Sequence, residues 1–171
     1  MGRFVWVLRH AKAARDGPDD HSRPLTARGR RQATEVGRAI ADGPGSVVPP
    51  ALVLCSSARR AVQSAQLVSA ELDAGVELVV DGRLYRADPD DVIGVLRELG
   101  AEPSAVMVVG HNPTVHELAL LLLEDDDTEG RARLERGFPT AAVAVVEVSA
   151  SSWDRLSPGT GTLRELRTPV S

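Results

Sequence analysis

Apolar and polar positions along this chain follow two alternating rhythms. Phe4 to Leu8 is a continuous apolar run rich in β-favouring residues, the pattern of a strand buried on both faces. Ala51–Cys55, Val76–Val80, Ala105–Val109, Ala141–Val148 and Thr162–Arg167 read as five further strands. Between them the apolar spacing lengthens to a helical period. Thr26 is placed to cap a helix running to about Asp42, with Ala33, Val36 and Ile40 on one face. Ala58 to about Leu72, Asp90 to about Leu99 and Thr114 to Leu123 are the other predicted helices. Asp16–Pro24 and Gly43–Pro50 are rich in breakers and read as loops, and the acidic run Glu124–Glu129 reads as a solvated loop. Strands alternating with helices predict an α/β fold, a three-layer α/β/α sandwich around a mainly parallel central sheet. With no internal repeat and no low-complexity linker, residues 1–171 are expected to form one domain.

Composition narrows the class. The hydrophobic fraction of 43% and charged fraction of 26% are those of an ordinary soluble domain, and the apolar runs are too short for a membrane span or a signal-peptide core. A net charge of -4 argues against nucleic acid as a partner. The single cysteine, Cys55, allows no internal disulfide, which suits a reducing cytoplasm. Oligomeric state is not readable from the sequence.

The basic residues matter for their placement. In open α/β sheets ligands bind beyond the carboxyl ends of the strands. The first strand delivers Arg9 and His10 there, the second leads into Ser56-Ser57-Ala58-Arg59-Arg60, and the fourth ends in Gly110-His111-Asn112-Pro113. Arginine forks match the oxygens of a phosphoryl group, and a neutral imidazole nitrogen is a nucleophile toward phosphorus. Other histidines carry less. His21 reads as a plain loop residue, and His116, five positions after His111, shares no helix face with it for a metal. Asp19, Asp20 and His21 could begin a metal cluster, but nothing elsewhere in the sequence completes one. Cys55 is followed by Ala61 where a thiol phosphatase would need arginine, so it reads as a buried strand-end residue.

Five segments in order carry a resemblance: Leu8-Arg9-His10-Ala11-Lys12, Asp20-His21-Ser22-Arg23-Pro24-Leu25-Thr26-Ala27-Arg28-Gly29, Ser56-Ser57-Ala58-Arg59-Arg60-Ala61-Val62-Gln63-Ser64-Ala65, Val109-Gly110-His111-Asn112-Pro113 and Phe138-Pro139-Thr140-Ala141-Ala142. Together they resemble the histidine phosphatase superfamily (phosphoglycerate mutase-like fold), and the short chain is most similar to its SixA branch of phosphohistidine phosphatases. The resemblance implies that His10 is the nucleophile, that Arg9, Arg60 and His111 hold the phosphoryl group, and that Arg23 and Asn112 contact substrate. Arg59 is then a surface helix residue. No metal or organic cofactor is implied; the substrate is a phosphorylated compound, with a phosphohistidine protein as one candidate. Superfamily members acting on phosphate esters usually supply a carboxylate after the third strand, where this chain has Leu84-Tyr85-Arg86-Ala87-Asp88 and only Asp88 comes close. An imidazole leaving group, with a conjugate acid of pKa about 6.5, needs less help than an alkoxide. A small-molecule or phosphoserine-type phosphomonoesterase of the same superfamily and a non-catalytic phosphate- or phosphoprotein-binding module stand as alternatives.

Overall fold

The computed structural model describes residues 2–43 and 45–169; Pro44, inside the predicted 43–50 loop, and residues 1, 170 and 171 lie outside the described residues. Six strands, β1 (Arg3–Arg9), β2 (Leu52–Cys55), β3 (Glu77–Val80), β4 (Ala105–Gly110), β5 (Val143–Val148) and β6 (Gly161–Arg167), form one sheet in the order β3-β2-β4-β1-β5-β6. The first four run parallel, β5 turns antiparallel to β1, and β6 pairs antiparallel with β5. Among the described residues five α-helices cover the sheet: α1 (Ala27–Ala41), α2 (Arg59–Ala70), α3 (Pro89–Arg97), α4 (Thr114–Leu122) and α5 (Thr128–Glu135).

The period-two alternation of the strands sorts the core into two layers. Val5, Val7, Val106 and Val108 face one way and pack with Ile93, Leu96, Leu118 and Leu134 of α3, α4 and α5. Trp6, Leu8, Met107 and Val109 face the other way and pack with Ala33, Ile40, Ala65 and Val68 of α1 and α2. Both faces are therefore covered, which is why the central strands read as unbroken apolar runs.

One expectation is corrected. The acidic run does not remain a loop throughout, because Thr128 and Glu129 open α5. Asp127 caps that helix by accepting the Gly130 N–H at 3.0 Å, and its other oxygen accepts the Leu163 N–H of β6 at 2.8 Å. A capping carboxylate at a helix N-terminus is stabilising, and buried Leu134 anchors the helix to the core.

The segment after β1 is fixed by close contact with α1 and α2. Lys12 N–H donates to Gln32 Oε1 at 3.1 Å, Ala11 N–H to Ser64 Oγ at 2.9 Å, and Leu25 N–H to Gln63 Oε1 at 2.8 Å. Thr26 Oγ1 caps α1 through Gly29 N–H at 3.0 Å. Gly29 lies against the Lys12 backbone so closely that a Cβ there would overlap the Lys12 carbonyl oxygen. Gly29→Ala would gain about 1 kcal/mol of helix propensity, but overpacking against fixed backbone costs about 1–3 kcal/mol or more. The expected result is a net loss of stability, read as a lower urea midpoint with an unchanged slope.

Candidate active site

The carboxyl ends of β2, β4 and β1 are neighbours at the middle of the sheet. His10 is the first residue beyond β1 and is tied to β4 by donation of its N–H to Gly110 O at 3.0 Å. Ser56 follows β2 and donates its N–H to Val109 O at 3.0 Å. The Phe138–Ala142 segment closes the other side. Ala141, at φ 62°, donates its N–H to both Arg9 O and His10 O at 3.1 Å. A non-glycine residue in this left-handed conformation is held there by its surroundings, at some cost.

Around these strand ends lies a cavity of about 320 Å³. All six residues singled out from the sequence, Arg9, His10, Arg23, Arg60, His111 and Asn112, line it. Lys12, Arg15 and Thr140 join them, and no carboxylate residue is among the lining residues described. The rings of His10 and His111 stand 5.2 Å apart, centroid to centroid. Arg59 is exposed, whereas Arg60 is buried, with 5% of its surface accessible.

The ring of His10 is held by one hydrogen bond, Nδ1 to Ala11 O at 2.8 Å. A carbonyl oxygen only accepts, so Nδ1 carries the proton and Nε2 keeps its lone pair. Burial lowers the pKa of His10 to about 3, with the nearby charges of His111, Arg60 and Arg9 adding to the effect. Burial, followed by Arg60, lowers that of His111 to about 4. His111 Nε2 shares a hydrogen bond with Ser56 Oγ at 2.8 Å. Three potential donors on the cavity residues, Arg9 Nε, Arg60 Nε and His111 Nδ1, are buried with no hydrogen-bond partner among the described residues. Buried polar groups are normally satisfied, so several unpartnered donors at one cavity suit an anion.

These pKa values make a stability prediction. Both histidines stay neutral in the folded protein where an unfolded histidine, of pKa 6.5, takes up a proton. Their contribution is present above pH 6.5 and is lost as pH falls toward 4. Each tenfold difference in proton affinity between the folded and unfolded chain is worth about 1.4 kcal/mol, so the loss is on the order of a few kcal/mol. Urea titrations at pH 7 and pH 4.5 should show it, and the His10→Ala/His111→Ala double variant should show a smaller difference between the two pH values.

Asp20 is the residue that the sequence did not assign. Its side chain accepts Arg23 Nη2 at 2.8 Å, Arg60 Nη2 at 3.1 Å and Tyr85 Oη at 2.6 Å, and its carbonyl accepts Arg60 Nη1 at 2.8 Å. The Tyr85 hydroxyl, then Arg23 and Arg60, hold its carboxyl well below the usual carboxylate range. Asp20 therefore sets the direction of two arginines. The signal was the Asp20/Arg23 spacing of three in a loop, too common to single out. Tyr85 also sets its ring 5.7 Å from His111 and 4.7 Å from His21.

The remaining candidates separate from the cavity. His21 Nε2 bonds Ser57 Oγ at 2.9 Å. His116 bonds Leu134 O at 2.7 Å and stacks on Phe138. Cys55 is buried, and burial raises its thiol to about 11. Asp88 is the N-cap of α3, accepting Asp91 N–H at 2.8 Å in a capping box, and it is not among the residues lining the cavity. Asn112, which does line the cavity, donates to Phe138 O at 2.8 Å.

The profile of the Histidine phosphatase superfamily (branch 1) matches residues 5–87. The chain belongs to the histidine phosphatase superfamily. It is 37% identical to an uncharacterized protein of Mycobacterium tuberculosis (strain ATCC 25618 / H37Rv), over 95% of this chain and 99% of the relative. A solved structure of a candidate phosphohistidine phosphatase SixA from Nakamurella multipartitia superposes with a TM-score of 0.85 at 26% identity, covering 100% of this chain and 98% of that one. The protein histidine phosphatase SixA complexed with tungstate superposes with a TM-score of 0.76 at 27% identity, covering 95% of each chain. Within the superfamily the chain falls in the SixA-type branch.

Proposed function

We propose that this histidine phosphatase is a phosphohistidine phosphatase that works through a phosphoenzyme on His10. The observation that carries the reading is the neutral His10 ring, with its proton on Nδ1 and its Nε2 lone pair free, beside the unpartnered donors of Arg9, Arg60 and His111. Nε2 attacks phosphorus in line. The new N–P bond forms as the bond to the leaving nitrogen breaks; the leaving imidazole, protonated beforehand from solvent on its other ring nitrogen, departs neutral with the electron pair of the broken N–P bond. Water then attacks the phosphoryl group, the electron pair of the N–P bond returns to Nε2, and inorganic phosphate leaves with the proton balance made up by solvent. Arg9, Arg60 and His111 stabilise the charge on the equatorial oxygens. Ser56 donates to Nε2 of His111, which leaves the Nδ1 proton for the phosphoryl group. Arg23 and Asn112 stand on the substrate side, with Asn112 oriented by Phe138 O.

The leaving group follows from the carboxylates. An ester oxygen needs a proton donor in the transition state. Asp20 is held ionised by three donors, and Asp88 is committed to the α3 cap. An imidazole leaves without such help. Asp88→Asn is therefore expected to reduce turnover of a phosphohistidine substrate by no more than about tenfold, against the roughly 10²–10⁴-fold typical of a lost general acid. A larger loss, with the acidic limb of the pH profile abolished, would assign Asp88 the proton-donor role and favour an ester substrate.

The substrate reading is tested by a panel of a phosphohistidine protein, a phosphoserine peptide and sugar phosphates under one set of conditions. The expected result is a kcat/KM highest for phosphohistidine. A preference for either ester class would replace the substrate and keep the nucleophile. Failure to turn over any of them, with tungstate still bound, would support a binding module.

A further inference from the structure

We propose that Lys12 and Arg15 form a second anion subsite in the same cavity, so that the preferred substrate carries a carboxylate or phosphate close to the phosphoryl group that is removed. The inference rests on reading His10 as the centre of a phosphoryl-binding site. Lys12 and Arg15 line the cavity together with His10 and Arg60. They differ from the other basic residues there in how they are used. Arg60 and Arg23 spend their forks on Asp20, and Arg9 donates to Phe138 O. No side-chain hydrogen bond or ion pair occupies Lys12 or Arg15 among the described residues, although carboxylates are close in sequence. Asp19 accepts the Ser22 N–H, and Asp20 is taken by Arg23, Arg60 and Tyr85.

Lys12 also starts from a rigid base. Its N–H is held by Gln32, and its carbonyl accepts from Thr26 N–H at 2.9 Å and from Thr26 Oγ1 at 3.2 Å. The side chain is thus presented from a fixed backbone. At about 30 Å³ per water, a cavity of about 320 Å³ has room for roughly ten waters, more than a phosphoryl group fills. Two unpaired cations on the wall of a cavity with no acidic lining residue described attract a second anion, and the effect weakens with salt.

Phosphonates test this without turnover, because their C–P bonds are not hydrolysed. Calorimetry on the full chain would compare methylphosphonate with methylenediphosphonate, phosphonoacetate and 3-phosphonopropionate, which carry a second anion at increasing reach. The best of the three is expected to bind about tenfold more tightly than methylphosphonate in low salt, the sum of two partly exposed ion pairs. In Lys12→Gln/Arg15→Gln that ratio should fall to about one. Equal binding of all four by the wild type, or a ratio that persists in the double variant, would overturn the proposal. Competition by tungstate locates the binding at the His10 cavity; phosphonates that bind without being displaced by tungstate would overturn it too. Turnover is a separate readout. An intact ratio with no phosphatase activity would contradict the catalytic reading and leave the subsite standing. Phosphohistidine peptides flanked by Glu or by Gln, and 3-phosphoglycerate against glycerol 3-phosphate, then show whether the second anion belongs to a protein or to a small molecule.

Discussion

His10→Ala is expected to reduce turnover on the order of 10³-fold or more, because it removes the group proposed to form the covalent intermediate. The fold should survive the change. His10 contributes one side-chain hydrogen bond, to the adjacent Ala11 carbonyl, while its backbone tie to Gly110 is independent of the side chain. Removing a buried neutral histidine also relieves the acid sensitivity described above. The variant should keep its affinity for tungstate within a small factor, since the arginine donors remain. Loss of activity with retained oxyanion binding separates a missing nucleophile from a collapsed pocket. Retained activity would remove His10 from the mechanism.

The second large effect distinguishes two adjacent arginines. Arg60→Ala is expected to lower kcat/KM by about 10²–10³-fold, the usual consequence of losing one donor to the charge that develops in the transition state. Arg59→Ala should stay within a few fold of the wild type. Arg60 is buried at the cavity and pairs with Asp20, whereas the Arg59 side chain is exposed and only its backbone N–H is used, on His21 O. Arg60→Lys keeps the charge but loses the planar fork, so it should recover only part of the loss. Thermal melts of each variant check that the Asp20 network has not unfolded locally. Equal losses at both positions, or a larger one at Arg59, would mean that the register of α2 against the cavity is wrong.

Much of this arrangement was legible in the sequence because the signals were local. The runs Phe4–Leu8 and Ala105–Val109 are apolar on both faces, and only strands inside a covered sheet need that. Arg9-His10 and Gly110-His111 stand at the ends of such runs, so their meeting followed once the two strands were neighbours. The choice of Arg60 over Arg59 came from the resemblance alone, and burial agrees with it. What was not legible depended on contacts between distant segments. Asp20 takes its importance from Arg60 and Tyr85, forty and sixty-five positions away, and a carboxylate in a polar loop gives no sign of either. Gln32, Gln63 and Ser64 hold the loop after β1 from α1 and α2, but each reads as an ordinary helix residue. Helix α5 was missed for a related reason: its polar sequence shows no apolar stripe, and a cap at Asp127 with one buried leucine, Leu134, decides it. Asp88 was placed near the site by its position after the third strand, whereas the local preference of a carboxylate before Pro89 for a helix N-cap took precedence.

The most direct test of the account is to trap the phosphoenzyme. The protein is mixed with a phosphohistidine substrate, or with phosphoramidate as a small donor, and quenched within milliseconds in alkaline denaturant, because the N–P bond of phosphohistidine is labile in acid. Peptide mass spectrometry then locates the phosphoryl group. The account predicts a single modified residue, His10, attached through Nε2, absent in His10→Ala and accumulating when the second step is slowed. A phosphoryl group on His111, on Cys55 or on Ser56, or steady turnover with no modified residue at any quench time, would contradict it.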